Sequence, residues 1–232
     1  MPVPSHPVRQ SARTLTLRVF IALGVVALLV EVLARSTVPT QRRLGLDTRS
    51  RGEVLAEQSQ LISARLASPG GVIVTDSVLG WRNNPGYADA AHAINRMGAR
   101  STREYTEHPA TGKRRVLAYG DAYVYGAEVS TMEAWSTLIE EADPSVEVIN
   151  FGVGGYGSDQ ALLLYLRTGA SLAPEIVLMG FAPVDLRRAV TRYTRFFSTV
   201  EPPMTKPRFV VDATGALVLL PNPMQSREEW ER

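Results

Sequence analysis

The sequence predicts an α/β protein with a parallel sheet covered by helices. Three apolar segments, 115–119, 146–151 and 175–181, have the length of buried strands, and a segment with helical spacing separates each from the next. Parallel strands need such helical crossovers. A chain of 232 residues, 45% of them hydrophobic, is long enough for one domain of this kind plus additional segments.

The composition excludes several kinds of chemistry. The chain has no cysteine, which excludes disulfides, thiolate metal sites and a cysteine nucleophile. Its 25 Lys and Arg residues nearly balance 23 Asp and Glu residues, and a net charge of +2 gives no argument for nucleic acid binding. We expect no cofactor, no metal and no nucleic acid partner.

The amino-terminal segment has the layout of a signal anchor or a signal peptide. Residues 1–14 are basic, and residues 15–34 contain an unbroken apolar run from Val19 to Val30. An uncleaved anchor would tether an extracytoplasmic domain, whereas cleavage after Ala34 would release it. More arginines follow the segment than precede it, which opposes export by the positive-inside rule. Both interpretations stay open, and we favour the exported, membrane-anchored form.

Between the apolar segment and the sheet, residues 35–71 are predicted as a linker and a helix. Residues 35–50 are polar and basic, residues 52–67 have helical spacing, and a Pro-Gly-Gly sequence ends the helix. The domain of residues 72–232 begins with a short strand, 72–75. A loop-rich segment, 76–105, follows and is anchored by Trp81.

The core of the domain starts at residue 115. Helices are predicted over 132–142, over 158–167, and over 185–197, the last with exposed arginines at 187, 188, 192 and 195. A hairpin is expected over 207–220 around an Asp-Ala-Thr-Gly turn. Three parallel strands leave an open edge. Either the hairpin and the amino-terminal strand complete the sheet, or strands beyond residue 232 do.

Three segments carry the chemical signal. Residues 116–126, V-L-A-Y-G-D-A-Y-V-Y-G, end a strand in a Gly-Asp turn, and the position that would present a nucleophile holds Ala122, which has no reactive group. Residues 148–160 form a glycine-rich loop that enters a helix but lacks the lysine of a phosphate-binding loop. In residues 177–188 a strand leads to Asp185, preceded by the apolar Val184.

In this order and spacing, residues 76–220 resemble the SGNH (GDSL) hydrolases, in particular membrane-anchored or exported bacterial members. The resemblance implies a flavodoxin-like parallel sheet with flanking helices. It also implies an ester hydrolase with a serine at position 122, an oxyanion hole formed by the Gly155 N–H and an asparagine at 184, and a later Asp-x-x-His. Here the serine and asparagine are replaced, and no histidine follows His108. We expect His92 and His108 on the surface.

The sequence therefore predicts an SGNH-like protein of the cell envelope that lacks hydrolase activity. A carbohydrate- or acyl-ester-binding cleft would be lined by Asp121, Ala122, Gly155, Tyr156 and Asp185. Two alternatives remain: an active esterase or acyl transferase acting on cell-surface glycans, and a truncated fragment of a longer hydrolase. Tyrosines 119, 123 and 125 either stack on sugars or pack against neighbouring elements.

Overall fold

A computed structural model describes residues 12–43, 50–67, 70–194 and 204–224. The chain divides into two compact units, Met1–Ala56 and Glu57–Arg232. Helix α2, Arg51–Ala67, contains the boundary between them and matches the helix predicted over 52–67. Reciprocal hydrogen bonds between Ser50 and Glu53 fix its first turn.

The first unit contains helix α1, Ala12–Arg43. Its segment Arg18–Ser36 has a mean hydropathy of 2.2 and is long and apolar enough to cross a membrane, a property that anchors and signal sequences share. Within this segment Glu31 pairs with Arg35 at 2.7 Å, one helical turn later. The helix continues past Ala34 to Arg43, through residues that were predicted as linker.

The central sheet consists of three parallel strands: β3, Arg114–Gly120; β4, Val146–Gly152; and β5, Ile176–Met179. Strand β3 lies in the middle, in the order β4-β3-β5, with Ala118 opposite both Asn150 and Leu178. Helices connect the strands, so the predicted α/β class with a parallel sheet is confirmed.

The helices of the domain are short. They are α3, Ala122–Tyr125; α4, Trp135–Ala142, which a 3₁₀ turn precedes; α5, Ser158–Thr168; and α6, Asp185–Val190. The helix predicted over 185–197 is wrong in length. Tyr193 pairs with Thr205 in an isolated bridge, and this extended pairing ends the helix. Residues 195–197 lie outside the described residues.

Two hairpins accompany the sheet. Strands β1, Ile73–Asp76, and β2, Gly80–Asn83, form the first, and β2 lies inside the segment predicted as loop. Strands β6, Arg208–Val211, and β7, Leu217–Leu220, form the predicted second hairpin. Among the described residues each hairpin is a separate sheet. The alternative in which these segments complete the central sheet is therefore wrong.

The core packs one face of the sheet against α5. Tyr119 stacks on Phe151 with ring centroids 5.2 Å apart, and Tyr165 of α5 meets Tyr119 edge-on at 5.5 Å. The first hairpin contributes Trp81, which is buried and lies edge-on to Tyr156. The hairpin is therefore part of the core that supports the carboxyl ends of the strands.

Candidate functional site

The candidate site lies where the three parallel strands end, and each strand ends in or just before a glycine. A methyl group on Gly120, Gly152 or Gly180 would approach residues of α3 to 2.5, 2.3 and 2.1 Å respectively. Only residues without a side chain allow this approach. The glycines therefore let the short helix α3 lie directly on the carboxyl edge of the sheet.

A cavity of about 290 Å³ opens at this edge. It lies between the ends of β3 and β5, where the connections run to opposite sides of the central strand, and open α/β sheets bind ligands at this kind of position. Most of its lining is apolar or aromatic. The lining residues are Asp121, Tyr123, Val124, Trp135, Gly180, Phe181 and Ala182.

Ala122 lies between two lining residues, at the first position of α3. The Asp121 carboxylate caps this helix, because its Oδ1 accepts a hydrogen bond of 2.9 Å from the Tyr123 backbone N–H. The methyl group of Ala122 is half-buried. Ala122, the position that the family resemblance assigns to the nucleophile, is thus the first residue of a helix but has no nucleophilic atom.

A buried arginine joins two of the predicted site residues. Arg188 donates from Nη1 to Asp121 Oδ2 at 2.9 Å, to Asp185 Oδ1 at 3.1 Å and to the Tyr156 carbonyl at 3.3 Å. Asp185 Oδ2 accepts a hydrogen bond from the Ala182 N–H at 2.8 Å. Both carboxylates are therefore fixed in place by hydrogen bonds, which restricts them as bases.

This burial corrects the prediction of an exposed basic helix face. Arg187 is exposed, but Arg188 is only 7% exposed because it neutralises charge between two buried carboxylates. Arg192 lies beyond the helix and donates to the Pro221 carbonyl. Arg195 lies outside the described residues. The ion pair between Asp185 and Arg188 had a signal in the sequence, because residues three positions apart lie on the same face of a helix.

The glycine-rich loop contributes backbone rather than side chains. Gly155 adopts a φ of 79° in the turn that follows β4. The next side chain, Tyr156, is fully buried, and its hydroxyl donates to the Trp81 carbonyl at 2.7 Å. Burial raises the pKa of this phenol far above its usual value. The loop contacts Arg188 through the Tyr156 carbonyl. Neither Gly155 nor Tyr156 lines the cavity.

The three tyrosines of residues 119–125 have different environments. Tyr119 is buried in the core, and Tyr125 packs under the Arg100 guanidinium at 4.4 Å from the ring centroid. Tyr123 is 78% exposed at the cavity. Of these three rings, only that of Tyr123 lies where a ligand could stack.

The two described histidines lie away from the cavity lining. His108 is exposed, whereas His92 is half-buried, bonds Asp89 through Nδ1 at 3.1 Å and stacks on Tyr125. The Ala91 N–H and the Tyr87 hydroxyl hold the pKa of Asp89 well below its usual range. Residues 89–92 thus have Asp-x-x-His spacing upstream of the Gly-Asp turn, a pattern that the sequence reasoning missed. Among the described residues, no group of three or more His, Asp or Glu side chains is arranged to hold a metal ion.

Comparisons with known proteins give one distant similarity. No family model and no curated protein matches the chain. Solved structures of the SGNH-hydrolase family esterase AlinE4 and of one of its point mutants match with 22% identity and a TM-score of 0.30, covering 36% of this chain and 48% of the esterase chain. A second mutant of that esterase matches with 23% identity and the same coverage. The chain is distantly similar to an SGNH-family esterase. It spans about half of that protein's length.

Proposed function

We propose that this chain is an SGNH-like protein of the cell envelope that binds a carbohydrate or acyl-ester group without hydrolysing it. The observation that carries the proposal is the cavity between β3 and β5, which is lined by Asp121 of the Gly-Asp turn and lies beside Ala122 in the nucleophile position. A site of this shape keeps the means to bind a ligand and lacks the group that would attack it.

The lining of the cavity supports binding rather than turnover. Its exposed rim holds two aromatic rings, Tyr123 and Phe181, which are 78% and 63% exposed, and Trp135 and Val124 provide further apolar surface. Its one ionisable carboxylate, Asp121, is engaged by Arg188 and by the Tyr123 N–H. Such surfaces suit the faces of sugar rings and short acyl chains.

The proposed lack of hydrolysis rests on two residues, each of which follows a different strand. Ala122 follows β3 and offers no hydroxyl, and Val184, after β5, offers no hydrogen bond to a developing oxyanion. The loss of one triad member alone removes most of the rate enhancement of a hydrolase. We therefore infer that restoring the serine would not by itself restore an esterase.

One NMR experiment tests binding and turnover together. The full chain is placed in nanodiscs of deuterated lipid and mixed with ethyl butyrate or methyl β-glucopyranoside. We expect saturation transfer to at least one of these probes, with no release of butyrate above that from empty nanodiscs. Protein-dependent release of butyrate would support the active esterase instead, and transfer to neither probe would contradict the binding cleft.

A matched pair of variants locates the binding. Phe181 and Leu186 are both 63% exposed, but only Phe181 lines the cavity. We expect Phe181→Ser to weaken binding about fivefold or more, as is typical of an aromatic contact residue. Leu186→Ser should leave it unchanged. An equal loss in both variants would place the probe outside this cavity.

The envelope location has its own test. We propose that α1 is retained as an anchor, because its apolar segment has the length of a membrane span and its one acidic residue, Glu31, is paired with Arg35. The full chain should stay in the membrane pellet after an alkaline carbonate wash. A soluble product whose first residue is Arg35 would show a cleaved signal peptide instead.

A further inference from the structure

A second cavity, of about 370 Å³, shares no lining residue with the cavity between β3 and β5. The first hairpin, the loop at Met97 and Gly98, the end of β4 and helix α5 enclose it. Apolar side chains and two arginines line it. The lining residues are Asp76, Arg82, Asn83, Met97, Gly98, Phe151, Val153, Leu164, Arg167 and Thr168.

The charged side of this cavity has more positive than negative groups. Arg167 Nη1 lies 2.8 Å and Arg82 Nε lies 3.4 Å from the same oxygen, Asp76 Oδ2. The other carboxylate oxygen, Oδ1, accepts hydrogen bonds from the backbone N–H groups of Val78 and Leu79. The single carboxylate of Asp76 therefore pairs with two guanidinium groups, and the three side chains carry a net charge of +1.

The two arginines keep donors available for a ligand. Their side chains are 39% and 38% exposed, and their contacts with Asp76 use Nε of Arg82 and Nη1 of Arg167. The remaining N–H groups of each planar guanidinium point in fixed directions that suit a carboxylate. A single negative charge would balance the cavity.

The rest of the lining is mainly apolar. Phe151 and Val153 lie at and just after the end of β4, and Leu164 belongs to α5; all three are buried core residues. Met97 adds a flexible, half-buried apolar side chain. A cavity of about 370 Å³ is at the small end of the range for ligand sites. It has room for a short alkyl chain but not for a long lipid.

We propose that this cavity binds a short-chain carboxylate, with the carboxylate held by Arg82 and Arg167 and the alkyl chain packed on the apolar lining residues, Met97 among them. Burial of the apolar chain and charge-assisted hydrogen bonds from two guanidinium groups act together on one ligand. The +1 charge favours a monoanion over a dianionic phosphate ester of the same chain. This site is independent of the cavity at β3 and β5.

Calorimetry on the full chain in nanodiscs tests the proposal, with sodium hexanoate as the probe and empty nanodiscs as the blank. Hexanol, hexylamine and hexyl phosphate share the alkyl chain and differ in charge. We expect hexanoate to bind the most tightly of the four. Equal binding of hexanol would overturn the role of the arginines, and tighter binding of hexyl phosphate would overturn the assignment to a monoanion.

Three variants locate the bound hexanoate. Arg167→Met should weaken binding about tenfold or more, the usual effect of losing a charged hydrogen bond. Asp76 remains paired with Arg82 in this variant, so the fold should persist; if it does not, Arg82→Met replaces it. Met97→Trp should fill the cavity and abolish binding.

Arg114→Met is the matched control, because Arg114 is an exposed arginine that pairs loosely with Asp143 at 3.8 Å and does not line the cavity. It should bind hexanoate as the unmodified chain does. If it loses as much affinity as Arg167→Met, or if Met97→Trp binds normally, the site is not this cavity.

Discussion

A buried arginine lies at each end of the central strand β3, and the two are used differently. At the start, Arg115 directs Nε and Nη2 to Glu147 and Nη1 to the carbonyls of Thr106, Glu107 and Leu172. At the end, Arg188 shares Nη1 between two aspartates beside a cavity. The first arrangement pairs one guanidinium group with one carboxylate, whereas the second joins two buried carboxylates, of which Asp121 lines the cavity. We infer that the start of the strand stabilises the fold, whereas its end also borders the candidate site.

The largest expected effect is at the start of the strand. Arg115→Met leaves Glu147 buried without its partner and three carbonyls without a donor, and removal of one member of a buried pair costs about 3–5 kcal/mol. Equilibrium urea unfolding followed by tryptophan fluorescence measures the change in the free energy of unfolding. Arg114→Met, on the exposed neighbour, should change it by less than about 0.5 kcal/mol. Similar losses in both variants would show that the buried pair is not what stabilises this end.

The next effect concerns close packing at the carboxyl edge. Gly152→Ala places a methyl group 2.3 Å from the Tyr125 backbone nitrogen, and backbone cannot move aside as a side chain does. Overpacking of this kind costs about 1–3 kcal/mol of unfolding free energy. Gly154→Ala is the control, since its methyl group would meet Ile73 Cδ1 at an ordinary 3.8 Å. If thermal denaturation gives the same midpoint for both variants, α3 is not held against the sheet.

A smaller effect on the free energy of unfolding distinguishes two buried tyrosines at the carboxyl edge of the sheet. Tyr156→Phe removes the donor to the Trp81 carbonyl and should cost about 1–2 kcal/mol. Tyr125→Phe should be nearly neutral, because the Tyr125 hydroxyl is buried and has no hydrogen-bond partner among the described residues. The urea concentration at the midpoint of unfolding, measured at neutral pH, compares the two variants. A larger loss for Tyr125→Phe would reveal a partner of that hydroxyl.

The last effect is absent at neutral pH and appears only in alkaline solution. Burial raises the pKa of Tyr125 to about 12, above its ordinary value of 10.0. The folded chain therefore favours the protonated phenol, and this contribution to stability is complete below the unfolded pKa and is lost as the pH rises from about 10 towards 12. Tyr125→Phe should lose less stability than the unmodified chain over that range. Thermal midpoints measured at successive pH values would contradict this if both fell in parallel.

The strands of the central sheet and the positions of the motifs were predictable because their signals are local. Each strand is a run of apolar, often β-branched residues bounded by glycine, and the observed strands β3 and β4 extend the predicted ones by a residue or so. The end of α6 was not predictable, since the bridge between Tyr193 and Thr205 that stops it depends on a distant segment.

The candidate site was predictable only in part, for the same physical reason. Asp121 and Asp185 follow strands, which placed them at one edge of the sheet. The burial of Arg188 depends on Asp121, which is 67 positions earlier, and no local pattern reports it. Phe181 and Trp135 also line the cavity only because separate segments meet there.

The bonds between the first hairpin and the glycine-rich loop also affect the order of folding. Asn83 bonds the Gly152 carbonyl, Trp81 bonds that of Gly154, and Gln160 bonds that of Leu79, over separations of 69, 73 and 81 positions. During synthesis the hairpin leaves the ribosome long before its partners exist. Contacts of such high sequence separation form slowly. The first hairpin should therefore dock on the carboxyl edge of the sheet only after the glycine-rich loop and α5 have been synthesised, and Trp81 will be exposed to chaperones until residue 160 has emerged.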